Sequence, residues 1–188
     1  LAVPAVAGPT APAVPQTPDE LTTRFDTALD QANAHIATII AIDDDDRTFR
    51  NTIAAIDDMN AHFDRDGNTL AWMGYVHPDA AMRDASRAIE KRWQDWYVDT
   101  GKNEDLYRAV RAYADTKPDL DGEQARLLAF ILRDYRRAGM DLTPEQRAEL
   151  TVIEKRINDL SIEFDQNILD DGTTLLLSEE EIKGMPQD

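Results

Sequence analysis

Few side chains in this sequence have the type and spacing that chemistry demands. Three histidines, His35, His62 and His77, lie 27 and 15 residues apart, so none forms the i,i+4 pair that presents two imidazoles on one helix face to zinc, and HExxH is absent. Each reads as an ordinary polar or interface residue, with His77 before Pro78 at most a loop contact. Asp64-Arg65-Asp66-Gly67-Asn68 looks like part of a calcium loop, but an EF-hand needs its Gly at the sixth position and here it comes at the fourth. A turn with solvated carboxylates is the better reading, and the same holds for the run Asp43 to Asp46. With no cysteine, thiolate catalysis, disulfides and Cys-ligated zinc are excluded. There is no GxSxG elbow and no glycine-rich phosphate loop. Trp93, Trp96 and Tyr97 could line a peptide groove, but the stripe running from Met82 through Trp93 favours packing between helices. No catalytic, cofactor-binding or metal-ligating residue is therefore assigned in this chain.

The elements around these residues are helical. The first 18 residues, LAVPAVAGPTAPAVPQTP, are uncharged and proline-rich, and read as an extended tether (1–18). Thr17-Pro18-Asp19-Glu20 then opens a helix, with Thr17 as N-cap and Glu20 closing a capping box. Leu21, Phe25, Leu29, Ala32, Ile36 and Ile40 form its apolar stripe. A second helix from about Thr48 is expected to end near the turn-forming cluster Asp66-Gly67-Asn68. Pro78-Asp79 announces a third, stopped at Gly101; a shorter one follows from Glu104 to about Thr116, and another from Asp121 to Gly139. Thr143-Pro144-Glu145-Gln146 repeats the capping logic and opens the longest regular stripe: Leu150, Ile153, Ile157, Leu160, Phe164 and Ile168. Near the end, Thr173-Thr174-Leu175-Leu176-Leu177 is β-prone and bounded by Asp171-Gly172, so one short strand is expected, without a second strand to pair with. The fold class is all-α, an antiparallel bundle-like helical domain (19–170) followed by the strand and a short helix (171–188).

Composition narrows the partners. The 188 residues, 42% of them hydrophobic, suffice for a core. The formal charge of −17 opposes nucleic acid and anionic membrane surfaces. No apolar run approaches the ~20 residues of a membrane-spanning helix. Leu1 is not Met, which fits either an artificial boundary or a mature end after signal-peptide removal; a periplasmic or secreted location is the expectation, with a cytoplasmic one left open.

Several segments, in order, resemble the N-terminal region of the thimet oligopeptidase, neurolysin, oligopeptidase A and dipeptidyl carboxypeptidase family of zinc metallopeptidases. Thr48-Phe49-Arg50-Asn51-Thr52-Ile53 is similar to that family's TFENT-type helix start, with Arg50 where Glu is usual. Val76-His77-Pro78-Asp79 with Met82-Arg83, and Asn103-Glu104-Asp105-Leu106-Tyr107, resemble its next helix starts. Asp134-Tyr135-Arg136-Arg137-Ala138-Gly139-Met140-Asp141-Leu142 is similar to its aromatic-Arg-Arg corner. Leu160, Phe164, Asn167 and Ile168 repeat its helix ending, and Leu175–Leu177 with Ile182-Lys183-Gly184-Met185-Pro186 its strand, short helix and Gly-Leu-Pro step.

The resemblance implies a helical domain forming one wall of a channel that admits short peptides. It also implies zinc held by an HExxH helix and a downstream Glu in a C-terminal catalytic region that this chain does not reach. No residue here matches a family catalytic or zinc-ligand position. The chain alone is expected to be inactive, to pair with its own C-terminal catalytic region, and, isolated, to self-associate through uncovered helix faces. A stand-alone helical peptide- or protein-binding module without catalysis is the alternative.

Overall fold

A computed structural model describes residues 14–178 and 180–184. Six α-helices are found among them: α1 (Pro18–Ile40), α2 (Ala55–Val76), α3 (Ala80–Gly101), α4 (Glu104–Asp115), α5 (Gly122–Arg137) and α6 (Pro144–Asp170). The all-α class is as the periodicity requires. Every start except that of α2 is set by a local polar cap. The Thr17 hydroxyl accepts from the Glu20 amide at 3.2 Å, while the Glu20 carboxylate reaches one residue further back, to the Gln16 amide at 2.8 Å. Thr143 and Gln146 form a reciprocal capping box, and Asp79, Asn103 and Asp121 cap α3, α4 and α5.

Between α1 and α2 the acidic run forms a short 3₁₀ turn, Asp44–Asp46. Arg47 folds back from it, donating to the Ile39 carbonyl at 2.9 Å and to Asp44 at 2.8 Å, so a cation closes the C-terminus of α1. Thr48 and Asn51 then cap one another across a π-helical turn, Phe49–Ala54, that leads into α2.

Helices α1, α2 and α3 pack around one core, each antiparallel to the next in the chain. Leu21 and Phe25 of α1, Ile53 of the π-helical turn, Met59 and Leu70 of α2, and Met82 and Ile89 of α3 are almost wholly buried, joined by Leu106 and Val110 of α4. Phe63 meets Phe25 at 5.9 Å and the edge of Trp96 at 4.5 Å between ring centroids.

Two expectations are corrected. Helix α2 does not stop at Asp66-Gly67-Asn68 but continues to Val76, because Gly67 faces α3 and supplies the gap into which the Trp93 ring fits. The expected strand is absent: Thr173–Leu177 is extended, but nothing among the described residues pairs with it, and Leu176 is 93% exposed. Turns at 180–184 follow, hung on Ser178, whose amide and hydroxyl both donate to Glu181. Residues 1–13 of the tether, and Met185-Pro186 of the final family-like step, lie outside the described residues.

Candidate interaction surface

Helix α6 differs from every other helix: none of its residues is buried. Its regular stripe points outward, with Ile153, Ile157, Leu160, Phe164 and Ile168 all exposed, Phe164 to 64%. The extended Leu175–Leu177 beyond it is exposed as well. Large apolar side chains left in water along 16 residues of one helix form the kind of contiguous patch that marks an interaction surface.

What attaches α6 is mainly charge. Arg87 reaches Asp170 at 3.5 Å, Lys91 pairs with Asp159, Asp99 takes Lys155 at 2.7 Å and Lys102, just past the end of α3, pairs with Glu154, all tying α3 and its C-terminus to α6. Arg147 adds a bridge to Glu104 at the start of α4, at 2.7 Å. Residue numbers rise on one helix as they fall on the other, so the seam is antiparallel. The Asp159 hydrogen bond, more than any other influence, raises the Lys91 pKa and holds it charged.

One contact in this seam is unfavourable. Glu90 of α3 has its pKa raised by burial and, more weakly, by the charge of Asp165 on α6, while the Tyr75 hydroxyl donating at 3.0 Å works the other way. The same pairing pushes Tyr75 up to about 12, with burial the largest cause and Glu90 next.

The residues singled out by type are distributed elsewhere. Asp64 and Asp66 lie within α2, where Asp64 accepts from the Tyr97 hydroxyl at 2.6 Å and Asp66 from Arg24 at 2.5 Å. The segment is helix, not loop. Burial first, and then the Asp64 hydrogen bond, drive the Tyr97 pKa strongly upward. Trp96 is buried and donates to Asn33 on α1 at 2.8 Å, so the aromatic cluster is packing between helices. His77 sits in the α2–α3 link and accepts from the Asp79 amide at 3.1 Å. His35 and His62, distant in sequence, come together on the rim of a groove between α1 and α2. Among the described residues no group of three or more His, Asp or Glu is placed to hold a metal ion, so they do not fit a zinc site. No helix among them is long and apolar enough to cross a membrane.

The sequence marks the α6 stripe, and the resemblance leads to uncovered helix faces without saying that α6 carries them. Periodicity says that one face is apolar; it does not say what covers it.

The chain is similar to several curated oligopeptidases. A thimet-like oligopeptidase from Dictyostelium discoideum is 29% identical over 182 residues, 93% of this chain and 27% of that protein. A probable thimet oligopeptidase from Arabidopsis thaliana is 29% identical over 59% of the chain and 16% of its own length, and saccharolysin from Saccharomyces cerevisiae 23% identical over 63% and 17%. No family model matches the sequence. The chain spans about a quarter or less of the length of these relatives. The resemblance seen in the ordered motifs thus extends along the sequence: the chain is similar to thimet oligopeptidases over nearly all of its own length.

Proposed function

We propose that this chain is the N-terminal portion of a zinc-dependent oligopeptidase, that it forms one wall of the channel that admits short peptides, and that the exposed face of α6 packs against the catalytic region of the same polypeptide. The observation carrying this reading is the pairing of a relative matched over 93% of the chain but only 27% of its own length with a helix whose apolar row is uncovered from Ile153 to Ile168. Zinc and the water it activates belong, on this reading, to that catalytic region. The contribution of the chain is steric and electrostatic: it shapes the channel and surrounds it with negative charge.

The reading is tested by tagging the chromosomal gene that encodes this chain and purifying its product. A polypeptide several-fold longer than 188 residues, cleaving quenched fluorescent peptides of about ten residues and losing that activity to a zinc chelator, is the expected result. A product no longer than this chain, or a longer one whose peptide hydrolysis survives chelation, would overturn it. The isolated chain is expected to hydrolyse nothing.

A further inference from the structure

The groove between α1 and α2 lies apart from the α6 face. Its larger part has a volume of about 400 Å³, floored by Ile39 and Met59, with Ile42 and Ala55 half-buried in its sides. A second hollow of about 290 Å³ continues it along the helices, sharing His35, Met59 and His62 and ending at Arg65 and Asp66. This is room for a large apolar side chain and part of its neighbour.

The rim supplies polar groups that the fold itself does not consume. The Thr38 hydroxyl donates its proton to the Ala34 carbonyl at 2.9 Å, which leaves its lone pairs to accept. His62 Nδ1 lies 2.6 Å from the Asp58 carbonyl, which can only accept; Nδ1 therefore carries the proton and Nε2 is left for a ligand. Along the groove and beyond its Ile42 end stand carboxylates that have no ion-pair partner among the described residues. Asp58 lines the groove, and Asn51, also lining it, is tied to the Asp46 carbonyl at 2.9 Å. Asp43, Asp45, Asp46 and Asp58 are exposed and enter no ion pair with any described residue; within the acidic run, Arg47 reaches only Asp44.

An apolar slot with acceptors along it and carboxylates at one end complements one chemistry. We propose that this groove binds a peptide segment carrying a large aliphatic or aromatic side chain next to Lys or Arg, the apolar side chain on Ile39 and Met59 and the cation toward Asp58 and Asp46. At the opposite end Asp66 is taken up by Arg24, and Arg65 beside it gives the site a direction. Catalysis is not involved, and the site does not depend on the proposed peptidase activity.

The probe is an acetylated, amidated hexapeptide with the core Leu-Phe-Arg-Lys, titrated into the 188-residue chain. The imidazole proton signals of His35 and His62 are expected to shift in NMR while those of His77 stay still. Affinity is expected to fall about tenfold when salt is raised to about 0.5 M, and by a similar factor in the double variant Asp46→Lys, Asp58→Lys. Thr38→Trp, which fills the slot from an exposed position, is expected to abolish binding with the circular dichroism spectrum unchanged; Phe164→Glu on α6 is expected to leave it intact. A peptide with Glu in place of Arg and Lys is expected not to bind. No histidine shifts at about 1 mM peptide, equal shifts at all three histidines, equal affinity for the acidic peptide, or loss of binding in Phe164→Glu would each overturn the assignment. If Thr38→Trp does not fold, the histidine shifts in the unaltered chain decide alone.

Discussion

The indole of Trp93 occupies the space that a Cβ on Gly67 would need, its Cε2 and Nε1 each 2.6 Å from that point. Helix α2 thus runs through a glycine because α3 presses an aromatic ring against it. Gly67→Ala tests which effect dominates. Helix propensity alone predicts a gain of about 1 kcal/mol in a helix interior. The ring is rigid and cannot yield at one end as a lysine would, so overpacking wins and a net loss of about 1–3 kcal/mol is expected in urea unfolding. A more stable alanine variant would show that the α2–α3 contact is loose.

That glycine also marks where sequence reading fails. Asp66-Gly67-Asn68 carries the composition of a turn, and nothing local reveals that a ring 26 residues away needs the gap. Thr17, Asp79, Asn103, Asp121 and Thr143 were legible as helix starts because a cap acts within one turn of its own sequence. The strand expected at Thr173–Leu177 does not form, for the opposite reason: a strand exists only with a partner, and β-prone residues cannot supply one. The α6 face was legible as a stripe but not as a surface. The pairing of His35 with His62 on one groove depends on how α1 crosses α2, which spacing along the chain does not encode.

Glu90→Gln should change the pH dependence of stability in a definite sense. Burial raises the Glu90 pKa, so its protonated form is favoured in the folded chain. A raised folded pKa contributes stability that is full below the unfolded value of about 4.5 and is lost as pH rises through the higher folded value. Gln keeps an acceptor for the Tyr75 hydroxyl and never ionises. The stability of the variant relative to the parent should therefore rise with pH from the carboxylate range upward and level off near neutrality. A difference that is flat or falling, measured by urea unfolding at pH 4 to 7, would mean that Glu90 ionises without cost.

The seam between α3 and α6 should respond to salt. Each partly exposed ion pair contributes about 0.2–1 kcal/mol and is screened as the Debye length shrinks. No buried residue of α6 stands behind these pairs. In the isolated chain, amides of α6 should exchange with deuterium faster than those of α1–α3, and raising salt to about 0.5 M should widen the gap. Equal protection of α6 and α2 at both salt concentrations would require an apolar attachment that the fold does not display.

The exposed row on α6 makes a last prediction, for the isolated chain. With no other polypeptide to cover Ile157, Leu160 and Phe164, two copies should bury these faces against each other as concentration rises. Net charge opposes this: at −17 per copy, association at low salt works against mutual repulsion. Salt should therefore strengthen self-association while loosening α6 from α3, two effects of opposite sign from the same screening. Phe164→Glu should abolish the dimer in sedimentation velocity and change monomer stability by no more than about 0.5 kcal/mol, because the position is already in water. A chain monomeric at millimolar concentration and high salt would show that the row does not bind its like. A dimer that persists in Phe164→Glu would place the contact elsewhere on the surface, and the assignment of α6 as the docking face for a catalytic region would lose its structural support.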